Sequence, residues 1–97
     1  MIDAGDIHLA ALNEEVRRRV LVVSNLRFNV AAGRVLIAPE IFGDIDEVAL
    51  PWRVEIEGAV YAVDFVRSIA GDRLLDRVGR APATAMARVR RAMLHIA

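Results

Sequence analysis

From Trp52 to Glu57 the chain alternates strictly: Trp52, Val54 and Ile56 are apolar, while Arg53, Glu55 and Glu57 are charged. Such alternation is that of a strand with one buried face. Glu57-Gly58 then marks a tight turn into the run Val60 to Phe65, so the pattern predicts a hairpin. Ile7 to Leu12 suits a first, half-buried strand. A polar loop, Asn13 to Arg18, leads to the apolar strand Val20 to Ser24, whose side chains have nowhere to go but a core. Leu26 to Ala32 reads as a short irregular connection. Gly33 precedes a strand from Arg34 to Ala38, ended by Pro39, which cannot donate to a ladder. Glu40 to Leu50 is acidic and aperiodic, as a surface loop is. Leu74 to Arg80 reads as a further strand.

The last segment changes period. Pro82 suits a first helical position, and Met86, Val89, Met93 and Ile96 recur at helical spacing, which puts them on one face with Arg88 and Arg91 turned away. Arginines late in this helix, and His95 near its end, favour its negative C-terminus. The expectation is a mainly β fold of five or six short antiparallel strands followed by one packed helix, as a single domain over residues 1–97. No repeat, low-complexity tract or linker interrupts it.

Composition narrows the function. A chain of 97 residues with 56% hydrophobic content buries a modest core and points to an apolar interface in an oligomer. No apolar run approaches the roughly 18 residues of a membrane span, and acids replace the positive charge of a signal peptide in MIDAGDIHLA, so a cytoplasmic location is expected. With no cysteine there is neither a disulfide framework nor thiolate chemistry. His8 and His95 lack metal-ligand spacing, which argues against a zinc site. The net charge of zero argues against a general nucleic-acid binder, but the charge is uneven. Glu40 to Glu57 is acidic apart from Arg53, and the chain from Arg73 onward is basic apart from Asp76. All 13 basic residues are arginine.

The densest positive charge stands at the mouth of the most apolar strand, in VRRRVLVVSN (residues 16–25). Arg17 to Arg19 read either as a solvated loop end that guards a strand edge or as an anion site with guanidinium groups fixed by the strand behind them. His8 reads as an acid or base near neutral pH or as a hydrogen-bonded structural histidine. Trp52 and Tyr61 suit core or interface packing better than base stacking.

The ordered set Gly5-Asp6-Ile7, RVLVVSN, VLIAP, VDFVRSI, RLLDRVGR and APATAMARV resembles the MazF/PemK (Kid) family of toxins from type II toxin–antitoxin modules, on the fold shared with the CcdB gyrase poison. The resemblance implies an SH3-like barrel with a C-terminal helix, a homodimer silenced by an antitoxin, and metal- and cofactor-independent cleavage of single-stranded RNA that inhibits translation and growth. In that chemistry the 2′-hydroxyl attacks the adjacent phosphate, leaving a cyclic phosphate and a 5′-hydroxyl. The family's arginine before the second strand falls on Arg18, with Arg19 where proline is usual. Asp64 matches the family's catalytic aspartate, and Arg67 and Ser68 continue that motif. Glu14 and Glu15 lie in a loop that carries a glutamate in some members. The resemblance thus implies catalysis by Arg18, Asp64 and Glu15, with RNA contacts from Arg17, Arg19, Arg27, Arg67 and Ser68. Three positions depart from the family: Ile41 stands where a catalytic threonine is usual, Phe65 for a glutamine, and His8 for a tryptophan. Those departures keep a second reading open, a non-enzymatic inhibitor of the CcdB kind or a degenerate paralogue that binds antitoxin.

Overall fold

The hairpin forms where alternation predicts it. In the computed structural model, which describes residues 1–13, 17–42 and 50–96, strands β4 (Arg53–Ile56) and β5 (Ala59–Ala62) pair antiparallel, with Val54 opposite Tyr61. Glu57 and Gly58 both have positive φ, 50° and 83°, the backbone a two-residue turn demands. The strand expected over Val60 to Phe65 stops at Ala62, and Val63–Phe65 form a single 3₁₀ turn. Asp64 and Phe65 therefore sit on a turn rather than in a ladder.

Strand β1 is Asp6–Ala10, and β2 is Arg18–Val22. Two of the clustered arginines thus lie within β2 and not in the loop before it. Val20, Leu21 and Val22 are fully buried, each contributing about 1.5–3 kcal/mol relative to exposure. The expected irregular connection is instead a helix, α1 (Leu26–Ala32). Asn25 caps it by accepting from the Phe28 amide at 2.9 Å, and Asp3 Oδ1 accepts from the Leu26 amide at 3.0 Å. Gly33 closes it in the left-handed conformation, φ 65°, donating to the Asn29 carbonyl. Asn29 is buried, takes a hydrogen bond from Ser24 Oγ, and donates to the carbonyls of Ile2 and Ser24. Ser24 Oγ also accepts from the Leu36 amide.

Strand β3 (Arg34–Ile41) runs through Pro39 instead of ending before it. On one edge it pairs with β2, Pro39 opposite Val20; on the other it pairs first with β6 (Arg67–Ala70) and then with β5. Pro39 lies between the stretches held by β6 and β5, where that edge already has a gap in the ladder. A second 3₁₀ turn, Gly71–Arg73, leads to β7 (Leu74–Arg80), which pairs with β1. The curled antiparallel sheet runs β4-β5-β3-β2-β1-β7, with β6 beside β3. Residues 43–49 of the expected acidic loop lie outside the described residues.

Both faces of this sheet are apolar. One carries Ile7, Leu21, Ala38, Val54, Ile56 and Tyr61 against α2 (Ala83–Ile96); the other gathers Ala10, Val20, Val22, Val35, Ile37 and Ile69. The buried stripe of α2 is Ala85, Val89 and Ala92, rotated from the expected one. Met86 and Met93 are only partly buried and Ile96 is 48% exposed. Alanines lead because their short side chains let the helix backbone approach the sheet closely. No helix among the described residues is long and apolar enough to cross a membrane.

Candidate functional site

Alternation divides the arginine cluster between the two faces of the sheet. Arg18 shares a face with Val20 and Val22, and Arg19 shares the opposite one with Leu21. Val20 lies opposite Pro39, and Val22 opposite Ile37, so Ile37, Pro39 and Ile41 of β3 face the same way as Arg18. Ile41 is opposite Val60, Ala62 is opposite Arg53, and Ile37 is opposite Arg67. Arg18, Arg53 and Arg67, from three strands, therefore emerge on one face.

Arg53 is the member that the sequence pattern hid, since its place among charged strand positions looks like a solvated edge. Its guanidinium grips Asp64 through two parallel hydrogen bonds, Nε to Oδ1 at 2.8 Å and Nη2 to Oδ2 at 2.9 Å. Both side chains are largely buried, 13% and 22% exposed. This paired geometry is the strong form of a charge-assisted hydrogen bond, and it raises the Arg53 pKa above the usual arginine value. The same guanidinium lies 5.3 Å from the centroid of the Phe65 ring. Arg18 lies 5.6 Å from the centroid of Phe42. Asp64 is thus a positioned carboxylate beside cationic charge, and Ile41 contributes no hydroxyl to that face.

Of the other expected site residues Arg67 shares that face, and the rest are dispersed. Arg19 is exposed beside Tyr61; burial, followed by the charge of Glu40, pushes the Tyr61 hydroxyl's pKa up although the charge of Arg19 pulls it the other way. Arg17 is exposed just ahead of β2. Arg67 is exposed on β6, and its neighbour Ser68 is engaged by Arg34, Nε to Oγ at 2.7 Å. Arg27 is exposed on α1, beyond the far end of β2 and so about 13 Å of strand from Arg18. Glu14 and Glu15 lie outside the described residues. His8 is buried in β1, with Nδ1 bonded to the Leu75 carbonyl at 2.9 Å, and its Nε2 makes no hydrogen bond among the described residues. Among the described residues no group of three or more His, Asp or Glu side chains could hold a metal ion.

Asp6 is the other buried carboxylate, at the start of β1. Burial pushes its pKa up, but the Asp3 amide, the Arg80 hydrogen bond and the charges of Arg80 and Arg77 together outweigh it and hold the group below its ordinary value. Arg80 Nη1 approaches to 2.6 Å and Arg77 Nη1 to 3.7 Å. These arginines belong to β7 and tie the last strand to the first.

The fold has counterparts among solved structures. An endoribonuclease in complex with its cognate antitoxin, from a mycobacterial species, superposes with a TM-score of 0.85 at 17% identity, over 98% of this chain and 93% of that one. MazF in a MazE–MazF complex from Deinococcus radiodurans gives 0.82 at 24% identity, over 98% and 93%. MazF alone from the same organism gives 0.79 at 22% identity, over 98% and 94%. Identities this low speak for the fold alone. A comparison with curated protein sequences finds no match. The family model for PemK-like, MazF-like toxins of type II toxin–antitoxin systems matches residues 3–97. With nearly its whole length covered by that model and its curled sheet matched by MazF structures, this chain belongs to the PemK/MazF toxin family.

Proposed function

We propose that this chain is the toxic member of a toxin–antitoxin pair and cleaves single-stranded RNA, messenger RNA included, without a metal ion, so inhibiting translation and growth. The observation that carries the reading is the sharing of one sheet face by Arg18, Arg53 and Arg67 beside the Asp64 carboxylate. Arg18 grips the non-bridging oxygens of the scissile phosphate and stabilises the negative charge that grows there. Asp64 takes the proton of the neighbouring 2′-hydroxyl, whose oxygen attacks phosphorus. The 5′-oxygen leaves and takes a proton from water, and the hydroxide so formed recovers the proton held by Asp64, giving a cyclic phosphate and a 5′-hydroxyl. Arg17 and Arg67 extend the phosphate contacts, Arg19, Arg27 and Ser68 lie off that face and could meet only a longer RNA, and Glu15 is a second carboxylate candidate from the sequence alone.

The partners in this reading are a second copy of the chain and an antitoxin segment whose carboxylates meet the arginines. Light scattering at micromolar concentration is expected to give a dimer, and a monomer alone would remove that partner. A second reading, a family member that binds antitoxin without cutting RNA, is favoured by Ile41 and by the two hydrogen bonds that already engage Asp64. Incubation with unstructured RNA in excess chelator separates the two. Fragments that begin with a 5′-hydroxyl and end in a cyclic phosphate are expected; uncut RNA would leave the second reading.

A further inference from the structure

We propose that Phe42 and Phe65 are stacking platforms for the bases of single-stranded RNA, each backed by its own arginine. The inference rests on the RNA-cleaving reading and adds what holds the nucleobases. Both rings are conspicuous by their exposure: Phe42 is 72% and Phe65 56% exposed, and neither belongs to a core cluster. Each has a guanidinium within 6 Å of its centroid, Arg18 for Phe42 and Arg53 for Phe65. A cation on one side fixes the ring, so a base closing on the open side orders little that was free. Arg53 is itself held by Asp64, which fixes the guanidinium against its ring.

The placement favours a nucleic-acid strand as the occupant. Arg18 stands on β2 and Arg53 on β4, on the same sheet face, with β3 and β5 between them. A strand crossing the sheet meets one ring and then the other, and Arg67 supplies a further cation on that face. Phe28, the third phenylalanine, is on α1 and has no arginine paired with its ring among the described residues. Stacking tolerates any base, so these couples provide grip without dictating sequence.

The test is fluorescence anisotropy with two labelled probes of random sequence, 2′-O-methyl RNA, which has no attacking hydroxyl, and the same backbone made abasic. Wild-type protein is expected to bind the based probe more tightly. Phe42→Ala and Phe65→Ala should each weaken that binding on the order of 10-fold and leave the abasic probe unchanged. Phe→Tyr should restore binding at either position, whereas Phe→Leu should not. Exposed rings carry little of the core, and circular dichroism checks that the variants stay folded. Leucine variants that bind like wild type, or equal losses on both probes, overturn the platforms. If RNA is still cut in that event, the nuclease reading survives their loss. Base-dependent binding that obeys the aromatic rule without any cleavage keeps the platforms and sinks the nuclease. A wild-type protein that binds neither probe contradicts both.

Discussion

Asp64 and Arg53 are held to each other so closely that each limits what the other can do. A carboxylate that accepts two guanidinium N–H groups still has a free lone pair on each oxygen, enough to take a proton from a substrate hydroxyl. Asp64→Asn keeps an acceptor for Arg53 and removes the base. It should lower kcat on the order of 100-fold or more with KM for RNA little changed, and should lower the melting temperature, because one guanidinium N–H and the Arg53 charge lose their partner; a kcat within a few-fold of wild type would take Asp64 out of the proton transfer. Ile41 belongs to the same calculation. It sits on β3 on the Arg18 face, opposite Val60, where threonine is equally at home in a strand. Ile41→Thr should raise kcat, because a hydroxyl donor to the growing charge is added.

At the scale of elements, the hairpin, the strand at Leu74 to Arg80 and the terminal helix were legible because each repeats its period for several residues. What was not legible depends on single side chains. The helix at Leu26–Ala32 has no apolar stripe; its ends are set by Asn25, Asp3 and Gly33, and its anchor is one buried asparagine. The candidate site divides the same way. Arg18 and Asp64 follow from the family resemblance, but Arg53 reaches Asp64 only through the hairpin register. Asn29 offers the element-scale test, since it accepts from Ser24 and donates to two carbonyls in a buried setting. Asn29→Leu leaves those groups unpaired and should cost about 2–4 kcal/mol. Ser24→Ala in the same background should add less than it does alone, because both act in one network. Urea unfolding of the four proteins checks this, and simple additivity would contradict the network.

For the whole molecule, the salt link between Asp6 and Arg80 fastens the first strand to the last, β7, which forms one edge of the sheet. Its carboxyl titrates lower in the folded chain than the ordinary 3.8. The linked stability is therefore present above about pH 4 and is lost as pH falls through the lower folded value. Asp6→Asn should cost about 1.5–3 kcal/mol near neutrality and flatten the decline in stability as pH falls below about 4 in urea titrations; parallel declines would mean that Asp6 is not the group responsible. Net charge of zero over the chain conceals an arginine-bearing face, and that face is what the proposed function requires. The most direct test is single-turnover cleavage of an unstructured RNA, in chelator, by wild type and Arg18→Ala at equal folded concentration. Arg18 lies at the mouth of β2, so its loss should spare the fold while lowering the cleavage rate on the order of 100-fold. Equal rates for the two proteins would contradict the account.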